Sequence, residues 1–295
     1  MQAEKIPLVY AVTVNWKRPQ DTLECLRSLQ AQQGVSIRPV IVDNGSGDDS
    51  AAVFRRAAPE IHLIEAEKNL GFAGGFNTGM RYCLEQGAEW ILIINNDTVA
   101  APEMTAQLMA AFSEDTAAAG PLIYFADRPE QVWSQGSAFN WLLLELADPL
   151  GRRRPLPTGV EAREFLSGCC LLLRRKALEQ VGLLDEGFFL YYEDQDWCLR
   201  FHQQGWKLVL APAAHLWHKV SLSSGGSSSP NERYWMARSS IRYFRKHVRG
   251  LAWLAVIPWR LGSALKLTAR LLGNRRTPSL KAYWNGLRDG LRQAL

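Results

Sequence analysis

The 295-residue sequence lacks the cysteine patterns of structural zinc sites and disulfide frameworks. Its five cysteines are an odd number and include no Cys-x-x-Cys pair: Cys25, Cys83, Cys169, Cys170 and Cys198. This excludes a zinc ribbon and argues against a secreted protein held together by disulfides. We therefore expect a reducing, cytosolic compartment.

Long apolar runs are absent as well. No segment reaches the ~20 consecutive apolar residues that a membrane-spanning helix needs. Residues 1–10 lack a charged start followed by an apolar stretch, so we expect no signal peptide. The chain is nevertheless 47% hydrophobic and 21% charged, which suits a folded core of one large or two smaller domains.

Acidic residues are nearly missing from the C-terminal part of the chain. Residues 233–295 contain 14 lysines and arginines but a single acid, Asp289, whereas the whole chain has a net charge of +5. The rest of the chain is therefore acidic overall. This distribution predicts a globular unit whose basic end docks on an anionic surface.

The first half of the chain alternates apolar runs with helix-like segments. Runs at residues 9–14, 40–42, 62–65 and 90–94 predict strands, with helical patterns between them. Such alternation predicts an α/β fold with a mostly parallel sheet and helices on both faces. Ligands of these sheets bind beyond the carboxyl ends of the strands.

The middle of the chain is less regular. Further strands are predicted at residues 118–125, 131–141, 164–173 and 207–210, and helices at 175–180 and 194–204. Two loops interrupt this pattern. Residues 149–157 are basic and rich in turn formers, and residues 221–230 are a serine–glycine segment that suits a lid or a linker.

Residues 231–295 are predicted to form a basic, amphipathic helical segment that follows a first domain at residues 1–230. Leu261, Leu265 and Leu272 share one helical face, and the tryptophans of this segment favour the headgroup level of a bilayer. We interpret the segment as a membrane-surface contact through residues 250–295. Packing on the body or on a second subunit is the alternative, and nucleic acid is disfavoured because of the aliphatic surface.

Polar residues follow the first two predicted strands. Thr13 and Asn15 lie at the end of the first strand, and Asp43 follows the second. A carboxylate at this place accepts hydrogen bonds from a flat ring imide or from ribose hydroxyls. The alternative is that Asp43 only caps the turn at residues 44–45.

A glycine-rich segment, NLGFAGGFN, occupies residues 69–77. Glycines allow backbone amides to approach a phosphate closely, and a helix start favours anions. The spacing differs from G-x-G-x-x-G, so a dinucleotide-binding fingerprint is not supported. A plain helix-start loop is the alternative.

The triplet at residues 95–97, NND, follows a buried strand and offers oxygen ligands for Mg²⁺ or Mn²⁺. A second ligand is expected from His215 or His218, and an imidazole favours Mn²⁺. Farther along, Glu193, Asp194 and Asp196 crowd three acids at a predicted helix start. They either interact with the helix dipole or supply a general base whose pKa is raised by neighbouring charge.

Taken together, these segments resemble glycosyltransferase family 2, which has the GT-A fold, and within it the rhamnosyltransferase-like subgroup. The resemblance covers residues 8–224, about three quarters of the chain. It is carried by residues 12–16 (VTVNW), 42–46 (VDNGS), 69–77, 95–97, 166–168 (LSG), 185–189 (DEGFF), 193–196 (EDQD) and His218 before Ser221. Asn95 and Asn96 depart from the strict D-x-D triplet of the family.

The resemblance implies a role for each matching residue. The donor would be bound by Thr13, Asn15, Asp43, Asn69, Asn77, Asn96 and Gly168. The metal, Mn²⁺ or Mg²⁺, would be held by Asp97 and by His218, which is preferred to His215 because it keeps the His-x-x-Ser spacing. Asp194 would be the catalytic base with Glu193 beside it, and Asp196 and Trp197 would contact the acceptor.

The resemblance thus implies an inverting, metal-dependent transfer of one sugar from a nucleotide sugar, with dTDP-rhamnose favoured. The acceptor would be a saccharide or a lipid-linked saccharide in surface-polysaccharide synthesis. The enzyme would be cytoplasmic and peripheral on the inner face of the plasma membrane, with homo-oligomerisation left open. A sugar nucleotidyltransferase and a catalytically silent sugar- or lipid-binding relative are the alternatives.

Overall fold

The computed structural model describes residues 6–149, 151, 155–220 and 228–293. Parts of the two predicted loops, at residues 150, 152–154 and 221–227, lie outside the described residues. Ser221, which completes the His-x-x-Ser spacing, is among them.

The described residues form twelve strands and nine α-helices. The strands are β1 (Leu8–Asn15), β2 (Ser36–Asp43), β3 (His62–Glu65), β4 (Trp90–Ile94), β5 (Thr98–Ala100), β6 (Thr116–Phe125), β7 (Val132–Ser134), β8 (Phe139–Asn140), β9 (Glu145–Leu146), β10 (Glu161–Arg163), β11 (Cys170–Arg174) and β12 (Lys207–His218). The helices are α1 (Pro19–Gln30), α2 (Ser50–Ala57), α3 (Gly71–Glu85), α4 (Met104–Ala110), α5 (Arg175–Val181), α6 (Glu193–Gln203), α7 (Pro230–His247), α8 (Trp253–Gly273) and α9 (Thr277–Arg292).

One large sheet has the strand order β10-β12-β6-β11-β4-β1-β2-β3. Neighbouring pairs among β1, β2, β3 and β4 are parallel, and β6 and β12 are parallel to each other. Strand β11 is antiparallel to both β4 and β6, so these two strands run in the same direction. The expected mostly parallel α/β sheet is therefore confirmed.

The core lies on both faces of this sheet. Because side chains alternate along a strand, Tyr10 and Val12 of β1 pack with α3, whereas Val9 and Ala11 pack with α1 and α4. All four side chains are at most 3% exposed. Covering by helices on both faces explains why the central strands consist of nearly continuous apolar residues.

The structure corrects three strand boundaries predicted from the sequence. Residues 131–141 form only the two short strands β7 and β8, because the backbone turns between them at Gly136, with φ +73°. Residues 164–173 are extended as a strand only from Cys170 onward, after the turn at 168–169. Strand β12 continues to His218 instead of ending at residue 210, since a register irregularity after Ala211 absorbs Pro212.

The C-terminal helices continue the main core. Helix α7 begins with a cap in which Ser229 Oγ accepts a hydrogen bond from the backbone N–H of Glu232 at 3.1 Å. Tyr243 and Phe244 of α7 are buried in the same cluster as Phe188 and Trp197. Residues after position 230 thus share the main core with the strands and helices before it. The division into two domains at that residue stays a prediction.

Helices α8 and α9 pack on α7 through a small cluster of Ala237, Ala264 and Tyr283. Of the helices in the described ranges, none combines the length and apolar character required to cross a bilayer.

The close packing of α3 on the sheet generates a prediction about stability. A Cβ added at Gly79 would collide with Val12, whereas one added at Gly262 in α8 would meet no atom within 4 Å. We expect Gly79→Ala to lower the free energy of unfolding by about 1–3 kcal/mol, as overpacked cores do. Gly262→Ala, the matched control, should leave it unchanged or raise it by up to ~1 kcal/mol. Urea unfolding of both variants makes the comparison, and equal effects would contradict the packing argument.

Candidate active site

The carboxyl ends of β1 and β2 carry a buried hydrogen-bonded group. Asn15 and Asp43 are register partners, and Asn15 Nδ2 donates to Asp43 Oδ1 at 2.8 Å. Ser46 Oγ donates to the same carboxylate oxygen at 2.5 Å. The Asp43 carboxylate is thereby fixed at the strand ends and does more than cap a turn.

The same group extends to the end of β4. Thr22 Oγ1 donates to Asn15 Oδ1 at 2.9 Å, and Asn96 Nδ2 donates to Thr22 Oγ1 at 2.9 Å. Asn15 and Asn96 therefore lie at one edge, as the strand ends predicted. Thr13, by contrast, is 1% exposed inside β1, below this polar layer.

The glycine-rich segment is held next to the end of β2. Asn44 Nδ2 donates to Asn69 Oδ1 at 3.2 Å, and Asn69 Oδ1 also accepts from the backbone of Gly71 at 2.8 Å. Gly71 has φ +74°, and a Cβ there would collide with the backbone of Phe189. Glycine is required at this position because the start of α3 touches the loop that precedes α6.

Asp97 and His218 come together at the centre of the sheet edge. Thr98 of β5 and His218 of β12 are register partners, and His218 Nε2 lies 3.1 Å from Asp97 Oδ1. His215 lies elsewhere on β12, with Nε2 3.0 Å from the carbonyl oxygen of Pro212. The strand pairing therefore selects His218 as the partner of Asp97.

The environment of His218 gives this pair an ionic character. Burial would lower the pKa of His218, but Cys169 and Asp97 beside the ring raise it to about 10. The ring of Trp133 packs edge-on against it, with 4.6 Å between the ring centroids. Asp97 and His218 thus form a buried ion pair behind an aromatic side chain.

The Asp97–His218 pair fits a divalent cation such as Mn²⁺ or Mg²⁺. Carboxylate and imidazole are suitable ligands, and the two groups face each other, with His218 Nε2 3.1 Å from Asp97 Oδ1. The described ranges contain no cluster of three or more His, Cys, Asp or Glu side chains placed to hold a metal. A cation here would take the place of the imidazole proton.

Asp194 lies in the first turn of α6, against the turn at Gly168. Its Oδ2 accepts a hydrogen bond from the backbone of Gly168 at 3.2 Å, and its Oδ1 accepts one from Gln195 at 2.9 Å. Burial raises the pKa of Asp194 despite these bonds. A raised pKa suits a carboxylate that must take up a proton.

Glu193 is the most perturbed acid of the site. It is 5% exposed, and its Oε2 has no hydrogen-bond partner within the described part of the chain. Burial, and next the charge of Asp194, raise its pKa well above the ordinary value. Two adjacent acids with raised pKa values are typical of proton-transfer sites.

A strained turn presents these two acids. Tyr191 and Tyr192, with φ 68° and 69°, are consecutive left-handed residues directly before α6. Bulky side chains rarely adopt this conformation. The Tyr192 ring packs 5.3 Å from that of Tyr243 and 6.4 Å from that of Phe244, centroid to centroid. Helix α7 therefore holds the turn in place.

Short contacts connect the two acids to the Asp97–His218 pair. Gly168 binds Asp194, and the next residue, Cys169, lies beside His218. The carbonyl oxygen of Cys169 also accepts a hydrogen bond from the backbone of Asn95 at 2.8 Å. The turn at residues 168–169 thus lies between Asp194 and the Asp97–His218 pair, and it brings both to one edge of the sheet.

Three residues that were predicted to contact the substrates lie in the interior of the structure. Asp196 and Trp197 were expected at the acceptor but are 0% and 1% exposed, facing the core instead. Asn77 was expected at the donor, yet its amide donates to the carbonyl oxygen of Leu184 and to Glu186. Successive residues of a helix point in different directions, so the spacing of the acids did not reveal which ones face the cleft.

The sequence analysis missed several residues that support the site. Lys246 and His247 of α7 each lie 2.7 Å from Asp196 Oδ1, and Arg200 lies 2.8 Å from Oδ2. Trp133 against His218 was also missed. The excess of basic residues in the tail was a signal for Lys246, and the i,i+4 spacing on one helix was a signal for the pairing of Arg200 with Asp196. Trp133 had no such signal, because its contact depends on the pairing of β6 with β7.

Comparisons with known proteins agree with this geometry. The sequence profile described as "Glycosyl transferase family 2" matches residues 10–182, more than half of the chain. The N-acetylglucosaminyl-diphospho-decaprenol L-rhamnosyltransferase of Mycobacterium tuberculosis is 28% identical over 268 residues, which cover 83% of this chain and 85% of that protein. The dTDP-rhamnosyl transferase RfbF of Shigella flexneri is 27% identical over 81% of this chain and 80% of its own.

A solved structure supports the fold. The mannosyltransferase PcManGT of Pyrobaculum calidifontis, in complex with GDP-Man and Mn²⁺, superimposes with a TM-score of 0.60 and 14% identity. The match covers 99% of this chain and 77% of that one. The expected GT-A fold is therefore confirmed.

The cluster around Asp196 generates a prediction about pH. Burial would raise the pKa of Asp196, but the hydrogen bond from His247 and the charges of Arg200 and Lys246 lower it from 3.8 to about 2. A lowered folded-state pKa stabilises the protein above the unfolded value, and this contribution is lost as pH falls through the folded value. The shift corresponds to about 2 kcal/mol.

We therefore expect Asp196→Asn to destabilise the protein at neutral pH by about 3–5 kcal/mol, since it breaks a buried ion pair and leaves Arg200, whose side chain is 17% exposed, without the carboxylate it pairs with. The difference from wild type should shrink as pH falls from about 4 to about 2. Urea unfolding across this range measures it. Asp127→Asn, at a side chain 74% exposed, is the control, and a difference that does not depend on pH would contradict the argument.

Proposed function

The chain belongs to glycosyl transferase family 2 and acts on nucleotide sugars, and we propose that it is an inverting, metal-dependent enzyme that transfers one sugar at a time. The observation that carries the proposal is the shared edge of the Asp97–His218 pair and the Asp194 carboxylate, joined through residues 168–169. A cation and a proton acceptor are what this displacement requires.

The donor would lie along the ends of β1, β2 and β4. Asp43, with Asn15 and Ser46 holding it, is positioned to accept hydrogen bonds from the base or the ribose. Asn69 and Asn96 would flank the nucleotide, and Thr13 would support the pocket from below. We favour dTDP-rhamnose because two relatives are named as rhamnosyltransferases, one of them for dTDP-rhamnosyl transfer.

Asp97 and His218 would hold Mn²⁺ or Mg²⁺. When bound, the cation supplies positive charge that stabilises the diphosphate as it departs. The mannosyltransferase of similar fold was solved with Mn²⁺ and its nucleotide sugar. Because the protein offers two side chains, we expect the diphosphate to contribute further ligands.

Asp194 would act as the base. The acceptor oxygen forms a bond to the anomeric carbon while the bond from that carbon to the diphosphate oxygen breaks. The bonding electrons leave with the nucleoside diphosphate, and the hydroxyl proton passes to the Asp194 carboxylate. Burial keeps the pKa of Asp194 raised. Glu193, the preceding residue, would help to position the base. Gly168 leaves space, since a Cβ there would press against Asp194 and Phe72 at 3.3 Å.

The acceptor would be a saccharide or a lipid-linked saccharide of surface-polysaccharide synthesis. The mycobacterial relative is named for a diphospho-decaprenol acceptor. A lipid-linked acceptor suits an enzyme that is peripheral on the inner, cytoplasmic face of the plasma membrane and contacts it through residues 250–295. The exposed leucines of α8 are consistent with such a contact.

Replacing the base provides the first test. We expect Asp194→Asn to lower turnover by about 10²–10⁴, since an amide cannot accept the proton, while donor binding persists. Sugar transfer is measured together with the thermal shift caused by the donor. Asp127→Asn controls for the loss of one acid. Transfer at the wild-type rate by the Asp194 variant would refute the assignment.

Replacing the histidine tests the cation site. A screen of nucleotide sugars with and without Mn²⁺ should show a donor whose thermal shift requires the metal, and a ligand at 100 times its Kd adds ~2.7 kcal/mol of stability. We expect His218→Ala to remove the metal-dependent part of the shift. His215→Ala, on the same strand but bonded to Pro212, should keep it. An unchanged shift in the His218 variant would contradict the site.

A further inference from the structure

We propose that the hairpin β8–β9 and helix α8 form one continuous surface that lies on an anionic lipid bilayer. We call it the docking surface and define it by Trp141, Leu142, Leu254, Trp259, Leu261 and Leu265. It deepens the proposed function, because it places a lipid contact beside the site of a lipid-linked acceptor. It also extends the contact beyond the tail, to residues 139–146.

Helix α8 is apolar on two sides. One side packs on the neighbouring helices through Val256, Ala264 and Leu271, which are at most 8% exposed. On the other side, Leu254, Leu261 and Leu265 are 74%, 61% and 67% exposed. A helix at the surface of a soluble domain normally presents polar residues to water, so a second apolar side indicates a contact with something else.

The hairpin presents two further apolar side chains. Trp141 and Leu142, between β8 and β9, are 52% and 62% exposed. The indole N–H of Trp141 donates to Glu164 Oε1 at 2.8 Å, and Asn140 Oδ1 accepts from the backbone of Leu142 at 3.1 Å. The exposed side chains are therefore held in place by specific bonds, although they face water.

Glu145 joins the hairpin to α8. Its Oε2 accepts a hydrogen bond from the indole N–H of Trp259 at 2.9 Å, and its Oε1 accepts one from Arg260 at 2.7 Å. Arg260 also donates to Ser240 of α7 at 3.0 Å. Trp259 is itself 47% exposed and lies where the two elements meet. The two sets of apolar side chains thus belong to one bonded unit.

The charge around the docking surface selects a lipid bilayer as the occupant. Lys266, Arg270, Arg275 and Lys281 are exposed on α8, α9 and the turn between them, and the described part of residues 233–295 has one acid, Asp289. A second copy of this chain would bring the same positive charge to the interface. Anionic headgroups complement it, and tryptophan, leucine and basic residues together are typical of interfacial helices.

The docking surface lies next to the candidate active site. Arg260, which holds Glu145, also lies beside Tyr192, the residue directly before Glu193 and Asp194. Glu164, which holds Trp141, is on the chain that leads into the turn at Gly168. The docking surface is thus connected, through Arg260 and Glu164, to the segment that precedes Asp194 and to the chain that leads to Gly168.

Vesicle co-sedimentation tests the proposal with the full-length protein. Vesicles of phosphatidylglycerol and phosphatidylethanolamine in equal parts should bind the wild type, and pure phosphatidylcholine vesicles should bind it more weakly. We expect Leu254→Ser with Leu265→Ser to abolish binding. The single variant Leu142→Ser and the double variant that adds Trp141→Ser should each weaken vesicle binding by about tenfold, since apolar area leaves the interface. Val160→Ser, at a side chain 53% exposed beside β10, is the matched control and should bind normally.

The outcomes separate this proposal from the proposed function. Hairpin variants that bind vesicles as tightly as wild type would overturn the two-part surface, as would a wild type that ignores anionic vesicles. A dimer in solution that the α8 variants dissociate, without vesicle binding, would assign the surface to a second copy and also overturn it. Sugar transfer to a soluble acceptor is measured in parallel. Its absence in a wild type that binds vesicles would count against the proposed function alone.

Discussion

The pairing of β5 with β12 is the contact on which the candidate site depends. It makes Thr98 and His218 register partners and thereby sets Asp97 3.1 Å from the imidazole. Residues far apart in the chain meet because parallel strands bring their carboxyl ends to one edge of the sheet. The same edge holds Asp43 and Asn96. A shift of one residue in this pairing would turn His218 to the other face and separate the two proposed metal ligands.

A second constraint is the cost of gathering acids in the first turn of α6. Burial of Glu193 and Asp194 is unfavourable for their charged forms, and both pKa values are raised. Asp196, two residues after Asp194 on the same helix, is instead paired with Arg200 of α6 and with Lys246 and His247 of α7. The basic tail therefore has two roles of different kinds. Lys246 and His247 point inward and pair with Asp196 on α6, the helix that carries Asp194. Other basic residues of the tail remain exposed around α8.

The polar residues at strand ends were predictable, since apolar runs that stop abruptly mark the edge where ligands bind. Asn15, Asp43, Asp97 and a histidine, either His215 or His218, were predicted in this way. The crowded acids at residues 193–196 were a separate signal, and the family resemblance favoured His218, Asp194 and Gly168. Asp196, Trp197 and Asn77 were predicted to contact the acceptor or the donor, and in the structure their side chains make internal hydrogen bonds and packing contacts. Sequence spacing shows that residues are close along the chain, but it does not show which side of a turn each side chain takes.

The amino-acid sequence by itself determined the α/β class, the order of the strands and helices, the polar strand ends and the basic, apolar tail, because these depend on local patterns of hydrophobicity and charge. The tertiary structure alone decided how Asp97 and His218 come within 3.1 Å of each other, how Tyr191 and Tyr192 present the acids, and that the hairpin at residues 139–146 is bonded to α8. Those features depend on contacts between distant segments. Such contacts follow from strand register and side-chain packing, which no local pattern encodes.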